Sequence, residues 1–419
     1  MQLKLLNIYK LLSNISTNLV GAFIPIIVYN ETGSMLFAVI SLILQYVFRI
    51  GANYAFKKWY YTKPQVCLIY RIIPIALYSV FIIIMDYNVW VGIVGACVFY
   101  GISESLKRMP PEIIYNYSSL EGDSSGLGLS RLFEQLGIIA ALIVGGFMLD
   151  VNKIVITLIA LGIYVISVIP LLMYYFKSKN DKLFNKEYTS NAYETMKKNS
   201  DSKDKGKILA KNLLRSYGWV YFIYSFIDVL TNAFTLHLTA ISSASYGTVG
   251  LFNAVYNATY GIGSYLFGLI NDKKDTTILI QICCVILAVC SAVIGFVENE
   301  ILLYILFGVL GLCYAPLPVF MLQQLLAKSR IMGVSNEALF VRENASNMSV
   351  VVSILFGAFG PMIPVFFSIS ATMIYGAGLI PYNEERTRKK LVNFLQHNEI
   401  IYERKRKRQQ LRANKSQNK

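Results

Sequence analysis

Charge is what this 419-residue chain has least of. Asp, Glu, Lys and Arg make up 15% of it, against 55% hydrophobic residues. Soluble globular proteins average about 25% charged residues, so a water-soluble fold is excluded. Histidine is scarcer still, with only His237 and His397. They are far apart in sequence, so a Ser/His or His/Asp/Glu catalytic cluster is not expected, and neither is an enzyme. The six cysteines (Cys67, Cys97, Cys283, Cys284, Cys290, Cys313) fall in apolar runs, with no CxxC pair and no Cys/His cluster. That pattern predicts small buried hydrophobes rather than a metal site or a disulfide framework. No GxxxxGK[ST] loop is present, so the chain is not expected to hydrolyse ATP, and no cofactor is expected. The start, MQLKLLNIYK, runs into its first apolar stretch without a small-residue cleavage site, so the first helix is expected to direct insertion itself.

What is abundant is uninterrupted apolar sequence. Residues 154–176 carry no charge at all. About 20 apolar residues suffice for a helix to cross the hydrocarbon core. The runs are continuous rather than alternating, which favours helices over a β-barrel. Twelve spans are predicted, at 8–28, 34–56, 64–86, 89–113, 125–149, 154–176, 216–241, 247–270, 276–296, 300–325, 337–359 and 362–381. The expected architecture is an all-α membrane protein of about 12 transmembrane helices.

The net charge of +15 does not indicate nucleic-acid binding, because of where it sits. Segment 177–211 holds ten Lys against five acids, and 382–419 holds twelve Lys/Arg against four acids. Those two segments carry +13 of the total. Assigning loops alternately puts both segments with the N-terminus, Lys57, Lys58, Lys63, Lys273, Lys274, Lys328 and Arg330 on one side. The other side contains a single basic residue, Lys153. This asymmetry predicts both termini in the cytoplasm, in a multi-pass plasma (inner) membrane protein. His237 and His397 then lie on opposite sides. The polar stretch 177–215 reads as a basic cytoplasmic linker between two six-helix halves, 1–176 and 216–381. Residues 382–419 read as a basic tail; within it 389–412 suits either an amphipathic helix with Leu391, Phe394 and Leu395 on one face for contact with anionic lipid, or a merely solvated tail.

The halves repeat. Asn14, Thr17 and Asn18 in the first span match Asp228, Thr231 and Asn232 in the seventh, at offset 214. Gly101 matches Gly311 at offset 210, and Gly51 matches Gly268 at offset 217. Arg131 with Gly146 matches Arg342 with Gly357 at offset 211. Such repeats suit transporters whose solute site lies on the axis between halves.

At this point the chain resembles the major facilitator superfamily. The resemblance covers about 5–381 and rests on the six-plus-six layout, the long linker and the run GLINDKKD (268–275). That run looks like the family's Gly-x-x-x-Asp-Arg/Lys loop. It implies that Gly268, Asp272 and Lys273 help hold one side of the transporter shut. The first-half copy, GANYAFKKWYY (51–61), has Ala55 where the acid is expected. The Arg-x-x-Gln-Gly and Gly-Pro elements of drug–proton antiporters are missing from spans four and five. The resemblance therefore implies two pseudo-symmetric six-helix bundles and alternating access, without a drug-exporter assignment.

Polar residues inside spans carry the site prediction, because a mid-membrane charge costs a few kcal/mol and usually faces a cavity. Asp228, Thr231 and Asn232 share a helix face, with Asn14, Thr17 and Asn18 on the facing wall. Glu104, Asn257 and Tyr260 complete the expected solute and proton cavity. Arg131, Glu134, Arg342 and Glu343 are expected to form a cytoplasmic gate with Gly268, Asp272 and Lys273. Lys107 is spaced to pair with Glu104, and Arg71 reads as a snorkelling anchor. The expected function is a secondary transporter for a small solute, acting as a monomer in the bilayer, with a coupling proton on Asp228 or Glu104. The alternatives are a lipid or lipid-linked-molecule flippase on the same fold and a non-transporting sensor or partner protein.

Overall fold

The structure, a computed structural model, describes residues 2–118, 124–178, 214–215, 217–225, 245–271, 276–294, 297, 299–331 and 335–357. Every regular element among them is a helix. The first half contains α1 (Gln2–Gly21), α2 (Ile24–Thr32), α3 (Met35–Thr62), α4 (Pro64–Tyr70), α5 (Ile72–Ile84), α6 (Val89–Ser118), α7 (Ser124–Leu149) and α8 (Lys153–Ser178). The second half contains helical residues 217–225, then α9 (Tyr246–Asn271), α10 (Thr277–Ile294), α11 (Glu300–Tyr314), α12 (Pro316–Ile331) and α13 (Ser335–Gly357). Among the described residues eight stretches are long and apolar enough to span a bilayer. Three of them join two helices end to end: α1 with α2, α4 with α5, and α11 with α12. Residues 179–213 of the linker, residues 226–241 of the seventh expected span, the twelfth expected span and the tail lie outside the described residues.

Local sequence explains the breaks. Pro25 and Pro316 each stand in the first turn of a new helix, where the missing N–H costs no hydrogen bond. In α6, by contrast, Pro110 and Pro111 are carried inside the helix, which continues to Ser118. The helix thus runs five residues beyond the expected end at 113 and holds Glu112 well inside it.

The outside of the bundle is apolar. On α8, Leu158, Ile166, Ile169 and Phe176 are exposed, and on α10 and α11 so are Ile278, Val285, Val289, Ile301 and Ile305. Water would not tolerate so continuous an apolar belt, whereas lipid does.

Packing follows a two-fold pattern. Within the first half α3 packs on α6, and within the second α9 packs on α11. A Cβ added to Gly101 of α6 would stand 2.3 Å from the Gln45 carbonyl oxygen of α3. A Cβ added to Gly311 of α11 would stand 2.3 Å from the Tyr256 carbonyl oxygen of α9. These two glycines, matched in the sequence repeat, thus make the same close helix approach. Across the halves α7 packs on α9 and α3 on α13. A two-fold axis that exchanges α3 with α9 and α7 with α13 maps one of these contacts onto the other. The axis runs between the halves.

One end of the bundle carries Lys57, Lys58 and Lys63 at the end of α3 and is called the basic end below. At the opposite end, Lys153 pairs with Glu31 at 2.7 Å and Asp86 at 2.5 Å. The one basic residue of that loop set is thereby neutralised by carboxylates from the end of α2 and from the turn after α5.

Candidate functional site

A cavity of about 350 Å³ lies on the axis between the halves. That is large enough for a small solute. From the first half it is lined by Asn18 of α1, Gln45, Tyr46 and Arg49 of α3, Tyr100, Glu104, Lys107 and Arg108 of α6, and Arg131, Glu134 and Gln135 of α7. From the second half it is lined by Tyr221 and Tyr224, by Asn253, Tyr256, Asn257 and Tyr260 of α9, by Tyr314 of α11, and by Arg342, Glu343 and Ser346 of α13. A smaller cavity of about 80 Å³ lies toward the basic end, lined by Lys10, Asn14, Glu112 and Ser130 among others. Lys107, Arg108, Arg131, Glu134, Arg342 and Glu343 line both cavities. They form a charged layer between them.

The halves are tied together through this layer. Arg49 of α3 hydrogen-bonds Glu343 of α13, both nearly fully buried. Arg342 of α13 donates to both oxygens of Glu112 of α6 at 2.5 Å. Glu112 also reaches Arg131 at 3.5 Å, and Glu343 reaches Arg342 at 3.5 Å. Two carboxylates and three guanidinium groups therefore make one continuous network across the axis. Nearer the surface, Asn53 donates to Asn344 at 3.2 Å, and Tyr61 donates to the Asn336 carbonyl at 3.3 Å. Lys57 pairs with Glu337 at 3.0 Å and sits over the Phe340 ring at 4.4 Å. Among the described residues, every ion pair between halves lies on this side of the larger cavity. Toward the opposite end the halves meet through uncharged contacts, such as Leu42 with Val350 and Ile354, Gly146 with Tyr246, and the Tyr246 side chain with Asn30.

A second network holds the first half. Arg71 stands at the break between α4 and α5 and is fully buried. Its Nε donates to the Ser103 carbonyl at 3.0 Å and to the Ser103 hydroxyl at 3.1 Å. Nη1 donates to the Ser13 hydroxyl at 2.5 Å, and Nη2 lies 3.7 Å from Glu104. The guanidinium also sits over the Tyr164 ring of α8 at 5.4 Å. The expected snorkelling anchor is thus corrected: Arg71 joins four spans in the interior, where acceptors meet its Nε and Nη1 and the Glu104 carboxylate offsets its charge. Glu104 meets Arg71, Lys107 at 3.0 Å and Arg108 at 3.8 Å.

Of the residues expected in the solute site, Asn18, Glu104, Asn257 and Tyr260 line the larger cavity and Asn14 the smaller one. Thr17 is buried beside them, 3.5 Å from the Lys107 ammonium. The asparagine side chains turn back on their own helices: Asn14 donates to the Lys10 carbonyl, Asn18 to that of Asn14, and Asn257 to that of Asn253. Of the expected gate residues, Arg131, Glu134, Arg342 and Glu343 stand together in the charged layer. Gly268 is buried near the end of α9. Asp228, Thr231, Asn232, Asp272 and Lys273 lie outside the described residues. Arg49 and Glu112 went unnoticed in the sequence. Arg49 was detectable as a charge in the middle of an apolar run, where a partner is required.

No known sequence-family profile matches the chain, and no curated protein matches it by sequence. Solved structures do resemble it. The human organic anion transporter MFSD10 (TETRAN) superposes with TM-score 0.57 at 10% identity, covering 89% of this chain and 97% of its own. The fucose:proton symporter FucP of E. coli superposes with TM-score 0.58 at 13% identity, covering 89% and 97%. A bacterial homologue of the iron transporter ferroportin, in an outward-facing state, superposes with TM-score 0.60 at 13% identity, covering 92% and 100%. The chain therefore has the fold of the major facilitator superfamily transporters.

Proposed function

We propose that the protein is a secondary active transporter of a small solute, working by alternating access in the plasma membrane. The observation that carries this reading is the polar cavity on the axis, sealed on one side by ion pairs that run from half to half. Such pairs hold the halves together at the basic end and release them when they break. The two bundles then rock about the cavity, which opens to each side in turn. The excess of basic residues at the sealed end makes it the cytoplasmic side, so both termini are cytoplasmic and the sealed cavity serves the outer side. The resemblance to three solute transporters supports the same reading, and the symporter among them supports a coupling proton.

Glu104 is tied to three cations, which suits a structural and electrostatic role. Asp228 is the remaining candidate for the coupling proton. The protein is expected to act as a monomer, since each chain supplies its own cavity. The test is uptake by proteoliposomes of purified protein, across a panel of labelled anionic, cationic and neutral metabolites, with and without a pH gradient. Saturable uptake of at least one compound, lost in Glu343→Arg, supports the reading. Uptake of none, by protein that is folded and inserted, refutes it. Uptake that persists after deletion of 382–419 excludes a role confined to the tail.

A further inference from the structure

The sign of the cavity wall selects the sign of the solute, because the axis of the bundle is shielded from bulk water and charge is weakly screened there. Among the described residues, the two cavities are lined by six basic side chains and four carboxylates. The surplus has a location. Lys107 has Glu104 at 3.0 Å, Arg131 has Glu134 at 3.1 Å, and Arg342 has Glu112 at 2.5 Å. Arg49 has Glu343, and Lys10 donates to Ser130 at 2.8 Å.

Arg108 differs from these. Its one carboxylate contact among the described residues is Nε to Glu104 at 3.8 Å, longer than a hydrogen bond. Glu104 is already engaged by Lys107 and Arg71. The Arg108 side chain is 48% exposed, against 25% for Arg131 and 5% for Arg49. Since Arg108 lines both cavities, that exposure is to the space on the axis. Glu343 and Glu134 act on Arg108 from beyond ion-pair distance, and among the described residues no hydrogen bond is formed by its Nη1 or Nη2. A planar fork of donors left open in a cavity matches the two oxygens of a carboxylate or phosphate. The same cavity carries a run of near-parallel tyrosine rings. Tyr256 and Tyr260 lie 6.2 Å apart, Tyr260 and Tyr314 5.7 Å, and Tyr314 and Tyr224 6.2 Å. These rings give one wall of the cavity a flat aromatic lining suited to a planar body, with hydroxyls such as those of Tyr224 and Tyr314 engaged with each other at 3.0 Å.

We propose that the solute is an organic anion, a carboxylate or phosphate monoester on a planar or hydroxylated body, and that the Arg108 guanidinium grips its head. The inference rests on the transporter reading and names the substrate class for that cavity. In the closed state the solute head takes the place that Glu104 fills only loosely, so no buried ion pair needs to break for binding.

The test uses full-length protein in detergent and matched probes: benzoate, phenylphosphate, benzyl alcohol and benzylamine, then a hexose phosphate against the free hexose. Melting temperature is recorded against probe concentration for wild type, Arg108→Gln and Arg108→Lys. A ligand that binds only folded protein raises it by mass action. The expected result is stabilisation by anionic probes alone, with roughly 10- to 100-fold weaker binding in Arg108→Gln and an intermediate loss in Arg108→Lys, which keeps charge but not the fork. Benzoate and phenylphosphate separate the two kinds of head. Stabilisation by benzylamine or by the neutral probes, or anion binding undiminished in Arg108→Gln, overturns the proposal. Should Arg108→Gln fail to fold, Arg108→Lys alone carries the comparison. The same probes are offered to proteoliposomes. Uptake of the amine with no anion uptake overturns the substrate class and leaves the transporter reading standing. No uptake and no binding of any compound overturns both.

Discussion

Replacing Glu343 by Gln should open the basic end. In the structure Glu343 lies buried between Arg49, which hydrogen-bonds it, and Arg342 at 3.5 Å. Arg342 keeps Glu112 after the substitution, but Arg49 loses its only described carboxylate and stays buried. Breaking a buried pair by removing one partner costs about 3–5 kcal/mol. Gln keeps an acceptor oxygen, so the lower figure of about 3 kcal/mol applies. The cost falls on the sealed state alone, because Arg49 is hydrated once the seal opens. The open population should therefore rise by roughly 100-fold or more. The assay is the rate at which a membrane-impermeant maleimide labels Ala52→Cys, a buried position within a turn of Arg49 and Asn53. The native cysteines are buried and serve as the background. When opening is fast, labelling follows the open population, so the rate should rise by the same factor until opening is complete. The double variant Arg49→Met/Glu343→Met, which buries two apolar side chains, should return toward the wild-type rate. An unchanged labelling rate in Glu343→Gln, with folding intact, would refute the seal.

Arg71→Met should lower stability by about 2–4 kcal/mol, because three hydrogen bonds are lost and Ser13, Ser103 and Glu104 are left short of a partner; thermal denaturation in detergent reads it. Gly101→Ala and Gly311→Ala should each cost about 1–3 kcal/mol by forcing a Cβ against a backbone carbonyl of the paired helix. Gly162→Ala, where the added Cβ meets nothing within 4 Å, should be neutral or slightly stabilising in the same melts. Lys153→Gln should cost under about 1 kcal/mol, since its pairs with Glu31 and Asp86 lie at the surface, and it should leave maleimide labelling at the basic end unchanged.

Helical spans were legible because bilayer thickness and backbone hydrogen bonding leave an apolar chain few choices. Expected span 154–176 became Lys153–Ser178, and 125–149 became Ser124–Leu149. The Gly101/Gly311 match was legible for a related reason: a close helix approach leaves a residue-type trace at a fixed place in each half. Partnership was not legible. The run around Arg71 resembles an interfacial anchor in sequence, and only the approach of Ser13 and Ser103 from other spans shows its burial. Glu112 stands beside Pro110 and Pro111 inside the expected span 89–113, and nothing in that run shows that Arg131 and Arg342 reach it from other helices. Inside a helix such prolines are tolerated where neighbouring helices re-satisfy the freed carbonyls. Arg131 and Arg342 were placed at the seal by their repeat spacing, but the carboxylate that joins them came from a third helix.

Alternating access is tested most directly by distances at both ends of the same molecule. Spin labels at Lys58 and Ser335 would report the basic end. A second pair at the exposed positions Tyr87 and Ile301 would report the opposite end. Both pairs are measured in lipid nanodiscs, in wild type and in Glu343→Gln. The account predicts opposed changes: the variant lengthens the Lys58–Ser335 distance and shortens the Tyr87–Ile301 distance. Distances that stay fixed at both ends, or that lengthen together, would contradict a rocking transporter.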